Sequence, residues 1–120
     1  MSVRVEIPYS ELKENIEYTE NIVKRIYANR RNRIAEAFID YCTPFVPIKS
    51  GALRSSATVV DNGYGVEWSA TNPKSGYDYA SVQYEVPFEH PRGGTDHWDR
   101  EMLFYEGDAF LSTVEEILTK

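Results

Sequence analysis

The sequence lacks most of the features that identify an exported, membrane-spanning or disulfide-bonded protein. Among its 120 residues there is one cysteine, Cys42, which excludes an intrachain disulfide and suits a reducing cytosol. No segment approaches the run of about 18 apolar residues that a membrane span needs. The first residues, MSVRVEIPYSELK, lack the apolar run of a signal peptide. We therefore expect neither export nor a membrane partner.

Basic residues are also few, with 13 Lys and Arg against 19 Asp and Glu, and the formal net charge is −6. This balance disfavours a general nucleic-acid-binding protein, because that affinity rests mostly on Lys and Arg beside phosphates. The imbalance is uneven along the chain. Residues 1–43 balance acids and bases, whereas residues 96–120 are acidic and carry only Arg100 and Lys120 as bases.

The sequence has no phosphate-binding loop, dinucleotide-binding fingerprint or serine-nucleophile elbow. Cys42 could act as a nucleophile with His90 or His97 as its base, but it follows an apolar helical face, where a thiol is typically a buried hydrophobe. The two histidines are seven residues apart, a separation that matches none of the usual zinc spacings. We therefore predict no catalytic residue, no cofactor and no metal ion.

Hydrophobic periodicity predicts a single α+β domain over residues 1–120, with a long N-terminal helix, a small antiparallel β-meander of three to four strands and a C-terminal helix. Residues 3–7 alternate as in a short strand. From a cap at Ser10, apolar residues recur at spacings of three, four or their multiples as far as Ile39, which predicts the long helix. Pro44 ends it.

Alternation of apolar and polar residues predicts the strands of the meander. It occurs in residues 53–59, 66–70 and 80–86, and their short connections favour antiparallel pairing. The segment DNGYG at 61–65 is rich in turn-forming residues. From Trp98 onward the apolar spacing is helical again.

The stretch PIKSGALRSS, residues 47–56, joins the predicted helix to the first strand of the meander. Gly51 can adopt a positive φ and so turn the chain within a few residues. Leu53 is then expected in the core, with Arg54 on the opposite side of the strand. There Arg54 could meet a neighbouring subunit or an internal carboxylate such as Glu85.

These motifs, in this order, resemble the tail-joining and minor capsid proteins of tailed bacteriophages over residues 30–110. In that family a helix ends in proline, followed by an acidic residue, Thr or Ser, Gly and a Leu-Arg-Ser strand. Lys49 departs from the pattern, since it stands where an acidic residue is common. We call the turn from the helix into the strand, residues 47–56, the corner. The residues that match the family pattern in the corner are Pro47, Ser50, Gly51, Leu53, Arg54 and Ser56. Those that match a later strand and the start of the last helix are Tyr79, Ala80, Tyr84, Glu85 and Trp98.

The resemblance implies a structural virion protein of the phage neck, a head–tail connector or tail-completion component that is assembled in the host cytoplasm. It implies self-association into a ring, a hexamer rather than a dodecamer, which contacts neighbouring connector and tail proteins. DNA would pass through the ring without specific binding.

Two other classes of function stay open on the residues alone. One is a small metal- or cysteine-dependent enzyme, and the other is a monomeric protein-binding module that uses its tyrosine-rich sheet.

The basic segment KRIYANRRNR, residues 24–33, has three interpretations. It could bind DNA phosphates, or form a solvated helix face with pairs such as Glu20 and Lys24, or meet an acidic surface of a second copy. The third interpretation predicts subunit contacts between a basic and an acidic set of residues. These are Arg30, Arg31 and Arg33, and Asp108, Glu115 and Glu116.

Overall fold

Helices and a small sheet alternate along the chain, whose computed structural model describes residues 2–9, 20–47, 51–71, 75, 78–85 and 94–119. The elements in chain order are β1 (Val3–Glu6), α1 (Glu20–Cys42), a 3-10 turn (Thr43–Phe45), α2 (Ala52–Ser55), β2 (Thr58–Val60), a second 3-10 turn (Asp61–Gly63), β3 (Gly65–Trp68), α3 (Ala80–Glu85) and α4 (Trp98–Thr119). Within these ranges no helix is long and apolar enough to cross a membrane.

The sheet has three antiparallel strands in the order β1-β3-β2, so the first strand of the chain pairs with the last. In register, Val66 of β3 lies between Val5 of β1 and Val59 of β2. Because side chains alternate across a strand, one face of the sheet is apolar and the other is polar. The predicted strand at residues 3–7 and the one at 66–70 are confirmed in this face, where Val3, Val5, Ile7, Val66, Trp68 and Ala70 are buried.

The two long helices, α1 and α4, pack against each other in antiparallel directions. The ring of Phe38 meets that of Phe110 edge-on, with centroids 5.5 Å apart. Towards the start of α1, the guanidinium of Arg30 donates to the carbonyl of Ile117 at 2.6 Å, and just beyond the end of α1 the ring of Phe45 stacks on that of Tyr105. Residue numbers therefore fall along α4 as they rise along α1.

Aromatic residues form the core where β3, α3 and the start of α4 meet. The rings of Trp68 and Trp98 contact each other edge-on at 5.5 Å, and Tyr84 lies 4.9 Å from Trp98. Neither buried indole N–H has a hydrogen-bond partner in the described part of the chain. An unpaired buried donor costs about 1–3 kcal/mol, so this corner of the core depends on the area that its rings remove from water.

The predicted architecture of an N-terminal helix, a β-meander and a C-terminal helix is wrong. The first described element is the strand that the alternation at residues 3–7 predicted and not the long N-terminal helix, and α1 begins at Glu20 in the part that the structure describes. The expected start at Ser10 lies outside those residues. The sheet is also no meander of consecutive strands, because its third strand comes from the N-terminus and residues 80–85 are helical.

Residues 80–85 form a helix and not the predicted strand, and their buried side chains have the four-residue spacing of one helix face. Ala80 and Tyr84 are buried, whereas Val82 between them is only partly so. Alternation and helical periodicity share positions 80 and 84, so the pattern alone did not separate them. Asp78 favours the helix, because one of its carboxylate oxygens accepts hydrogen bonds from the N–H of Ala80 at 3.0 Å and of Ala70 at 3.1 Å.

The predicted strand at 53–59 is largely replaced by the short helix α2, and only its last two residues belong to β2. Serine hydroxyls close this turn. Ser55 Oγ donates to the carbonyl of Gly51 at 2.9 Å, and Ser56 Oγ donates to that of Leu53 at 2.7 Å. Such local bonds offer the backbone an alternative to a strand ladder.

Asp78 predicts a pH dependence of stability. Partial burial by itself would raise the pKa of its carboxyl, but hydrogen bonds from Ser69, Ala80 and Ala70 lower the pKa overall. A carboxyl with a depressed pKa in the folded state stabilises the fold above its unfolded pKa, near 4, and loses this effect as the pH falls further. We expect Asp78→Asn to lower the free energy of unfolding more at pH 7 than at pH 3. Denaturant titrations at both pH values measure the difference; an equal loss at both would contradict this role.

Candidate functional site

The exit from α1 is held by donors from two distant segments of the chain. The guanidinium of Arg54 donates from Nε to the carbonyl of Val46 at 2.6 Å and from Nη2 to that of Pro44 at 3.0 Å. Between them, the carbonyl of Phe45 accepts the backbone N–H of Thr95 at 2.7 Å. Three successive carbonyls beyond the helix end are therefore paired, which is what the end of a helix needs.

Arg54 does not pair with Glu85, because its guanidinium donates to these carbonyl oxygens, and its contact with a neighbouring subunit stays a prediction. Leu53 is buried as predicted. The reason for the difference is that Arg54 lies on a helical turn rather than on a strand. The Arg54 side chain therefore lies over residues 44–46 and links α2 to the end of α1 within the same chain.

Gly51 begins α2 in the left-handed region, with φ 81° and ψ −16°, which confirms the predicted positive φ. A Cβ at this position would meet nothing within 4 Å. Glycine is thus favoured here by the backbone conformation and not by crowding. Pro47 is buried and Ser56 half-buried, whereas Ser50 lies outside the described residues.

Gly94 brings the loop before α4 against the same corner. Its φ is 100°, and a Cβ there would lie only 2.5 Å from the Cα of Pro47. Nothing in the sequence pattern predicted this contact. The structure shows a close backbone contact that no larger residue could make, so this loop end and the corner form one unit.

Tyr84, His97 and Asp99 form a polar cluster beside the corner. The hydroxyl of Tyr84 donates to the carboxylate of Asp99, and burial, followed by this hydrogen bond and charge, raises the pKa of the phenol. The His97 ring lies 4.6 Å from that of Tyr84, with Nδ1 2.8 Å from Asp96 and Nε2 3.4 Å from Glu85. These bonds fix the start of α4, since the His97 N–H also donates to the Tyr84 carbonyl.

The resemblance-matched residues of the later segment therefore gather around this cluster. Ala80, Tyr84 and Trp98 are buried, Tyr79 is half-buried and Glu85 is exposed. The part they form is a helix and not the expected strand. Asp99 was not singled out by the sequence, because a carboxylate in the first turn of a helix is common on any solvated helix.

The candidates for chemistry gain no support from this arrangement. Cys42 is fully buried, and burial, together with the charge of Asp99, raises the pKa of its thiol far above the usual range. A protonated thiol is a poor nucleophile. Among the residues that the structure describes, no group of three His, Cys, Asp or Glu side chains could hold a metal ion. His90 lies outside them.

Two of the three arginines in the basic segment bind their own chain. Arg30 donates from Nη1 to the carbonyl of Ile117 at 2.6 Å, at the C-terminal end of α4, where a cation is favourable. Arg31 donates from Nε to the carbonyl of Asn62 at 3.0 Å, and its guanidinium lies 4.3 Å from the centre of the Tyr64 ring. Arg33 alone of the three is exposed.

The second 3-10 turn packs directly on Arg31. Asp61, Asn62 and Gly63 all have positive φ, and a Cβ at Gly63 would lie 2.6 Å from the Cβ of Arg31. The hydroxyl of Tyr9 donates to the carbonyl of Gly63 at 2.5 Å. This hairpin turn is therefore held beside α1 by hydrogen bonds from Arg31 and Tyr9 and by the close packing of Gly63 against Arg31.

Acidic and aromatic side chains dominate the outer surface of α4. Asp108, Glu115 and Glu116 are exposed, as the acidic set predicted from the sequence requires. Phe104 is 80% exposed and Tyr105 66%, and Tyr105 stacks on Phe45 at 6.2 Å. Large exposed aromatics are typical of surfaces that bind proteins. The sequence analysis counted Tyr105 among the helix's apolar positions and missed Phe104.

Gly51→Val is expected to destabilise the corner by about 1–3 kcal/mol, because a β-branched residue is strained at positive φ. Gly51→Asn is the matched control, since Asn tolerates this region better and nothing crowds its Cβ. Thermal unfolding of both variants tests the assignment. Equal melting temperatures for Val, Asn and wild type would contradict it.

Cys42→Ala is expected to cost about 1 kcal/mol of stability through lost packing, and to leave binding or assembly intact. The thiol of the native protein should react with a thiol reagent only as fast as the protein unfolds, because its side chain is fully buried. His90→Ala should likewise leave function intact. Loss of function in either folded variant would support the alternative that the protein is a metal- or cysteine-dependent enzyme.

Comparison with known proteins adds no relative: no family model, curated protein or solved structure matches this chain. Its function must therefore be argued from its own residues. Those residues form a hydrogen-bonded corner and a helix, α4, that exposes acidic and aromatic side chains.

Proposed function

We propose that this protein is a structural component of a tailed-bacteriophage neck, a head–tail connector or tail-completion subunit. In this proposal it assembles into a ring, a hexamer rather than a dodecamer, and binds the virion proteins on either side. It catalyses no reaction. The starting point is the resemblance of its corner, its Tyr-Ala segment and the start of its last helix to the minor capsid and tail-joining proteins.

The observation that carries the proposal is the meeting of these separate motifs in space. Gly94 packs against Pro47, Thr95 donates to Phe45, and Tyr84 contacts Trp98. These contacts join the segments that carry the resemblance. Their assembly into one backbone-fixed corner supports a shared structural role.

A rigid corner is what a ring subunit requires. In a closed ring each subunit presents one surface to its left neighbour and a different one to its right, and small angular errors prevent closure. Arg54 on α2 donates to the carbonyls of Pro44 and Val46, and Gly51 begins α2 at positive φ, and these contacts hold α2 beside the end of α1. The net charge of −6 is compatible with a channel through which DNA slides without being held.

Arg33 is the residue of the basic set that we assign to a contact with another subunit. Arg30 and Arg31 are used within the chain, whereas the side chain of Arg33 is exposed on α1. On α4, Glu116 lies on a different side from Asp108 and Glu115, because residues seven apart share a helix face and neighbours do not. Glu116 is therefore the acidic position that we pair first with Arg33 of the next subunit.

The proposed function is tested by mass spectrometry of purified phage particles and by electron microscopy of the isolated protein with its neighbours. The expected result is a few copies of the chain per particle and sixfold rings in the presence of the portal or tail-tube proteins encoded beside it. Absence from the particles, together with a monomer under every mixture, would overturn the proposal.

Arg33→Glu is expected to impair ring assembly without changing the melting temperature of the isolated domain, because its side chain is exposed. Glu116→Lys should partly rescue it if the two residues face each other. Exposed ion pairs are typically worth about 0.2–1 kcal/mol each, so the effect depends on its repetition around the ring.

The matched controls are Arg30→Glu and Arg31→Glu. Each places a carboxylate beside a backbone carbonyl that an arginine now binds, so both should lower the melting temperature. Normal assembly of the Arg33→Glu variant would remove Arg33 from the contact.

A further inference from the structure

One side of α4 carries a row of small and apolar residues that the described residues cover only in part, since Leu111 packs against the core whereas Phe104 is exposed. Its members are Phe104, Gly107 and Leu111, which recur at spacings of three and four and therefore share a helix face. Phe104 is 80% exposed, and Gly107 and Leu111 are half-buried. We call these three residues the α4 ridge. A single exposed apolar residue needs no explanation, but a ridge of helical spacing is the form in which one helix packs on another.

No contact among the described residues explains Gly107. It lies inside a 22-residue helix, where glycine is less favourable than alanine. A Cβ built there would meet nothing within 4 Å in the described part of the chain, so no neighbour there requires its absence. Glycine does permit the close approach of another backbone, and its place in the middle of the ridge suits a crossing point between two helices.

The charges that flank the ridge have opposite signs at its two ends. Arg100 precedes Gly107 by seven residues, and Glu115 follows Asp108 by seven. Phe104 precedes Gly107 by three, and Leu111 follows Asp108 by three. Arg100, Asp108 and Glu115 are all exposed. The pattern is thus symmetric in position and opposite in charge about the bond between residues 107 and 108.

We propose that the α4 ridge binds the same ridge of a second copy, with the two helices antiparallel about a twofold axis beside Gly107. In this register Arg100 of each copy faces Glu115 of the other, and Phe104 of each packs on Leu111 of the other. A parallel register would instead place Arg100 beside Arg100 and Glu115 beside Glu115. The two Asp108 carboxylates lie beside the axis in either orientation and repel each other, so the Arg100–Glu115 pairs are what favour a second copy in the antiparallel orientation.

The contact is small and its association weak. A stable interface buries about 800 Å² on each partner, which is more than one helix ridge offers. We expect a dissociation constant between about 10 µM and 1 mM. Because a twofold contact joins two copies in opposite orientations, it differs from the left-to-right contacts of a ring. It would pair free subunits or two rings, and it does not depend on the neck assignment.

Cysteine cross-linking tests the register. Asp108→Cys places a thiol beside the axis and keeps Gly107, whereas Glu106→Cys removes one carboxylate from an exposed position on another side of α4. A disulfide requires Cα atoms within about 7 Å, so mild oxidation should cross-link the first variant and not the second. Buried Cys42 gives the same background in both. Equal cross-linking of the two variants, or none in either, would overturn the register.

Charge reversal tests the pairing in solution by sedimentation equilibrium. Arg100→Glu and Glu115→Arg should each weaken dimerisation by about three- to tenfold, and the double variant should recover most of the loss. Phe104→Ala should weaken it by at least about tenfold, as expected for a central apolar anchor. Failure of the double variant to recover would exclude the Arg100–Glu115 pair and with it the register.

Gly107→Ala separates the proposed role from a purely structural one. In a dilute sample the melting temperature should rise, because alanine is the better helix former and its Cβ has room. In the same variant dimerisation should fall, because the two backbones are held apart. A wild-type protein that stays monomeric at about 500 µM would overturn the proposal, since its expected affinity predicts a measurable dimer fraction there. Ring assembly in phage particles is a separate observation, so either proposal can fail alone.

Discussion

The fold depends on how the chain leaves its first long helix. Three successive carbonyls, of Pro44, Phe45 and Val46, point away from α1 and need donors. One side chain, Arg54, supplies two of the bonds from the segment that follows, and the backbone of Thr95 supplies the third from the segment before α4. Buried or half-buried carbonyls without partners are costly, so this requirement ties the two halves of the chain to one point. The antiparallel packing of α4 on α1 then follows, because the start of α4 is fixed next to the end of α1.

Part of this was predictable from the sequence, and the reason is physical. The strands at residues 3–7 and 66–70 have one buried face, and alternation records that directly. Gly51 was predictable because few other residues adopt its backbone conformation. Residues 80–85 were not, because Ala80 and Tyr84 satisfy both a two-residue and a four-residue spacing, and the deciding hydrogen bonds come from Asp78.

The candidate site was likewise predictable from the sequence only in part. Exposure of Asp108 and Glu115 follows from charge, whereas the internal use of Arg30, Arg31 and Arg54 could not be predicted. All three donate to backbone carbonyls, and every residue has a carbonyl, so the sequence carries no sign of the acceptor. An excess of arginine over local carboxylates is therefore weak evidence for an external partner. The exposure of Phe104 did not follow from the sequence, because a helical spacing of apolar residues after Trp98 does not show which aromatic side chains lie outside the buried face.

The hairpin turn at Asp61–Gly63 is a poor site for insertions, unlike most β-hairpin turns. Tips of β-hairpins are normally chosen for epitope tags, fluorophores and domain insertions, since extra residues there extend into solvent. In this protein the tip is packed on the flank of α1, with Tyr9 and Arg31 bonded to its carbonyls and no room for a Cβ at Gly63. An insertion there would pull both side chains from their acceptors and expose the side of the helix. Labels on this protein belong elsewhere, for instance at exposed Ser112 on α4.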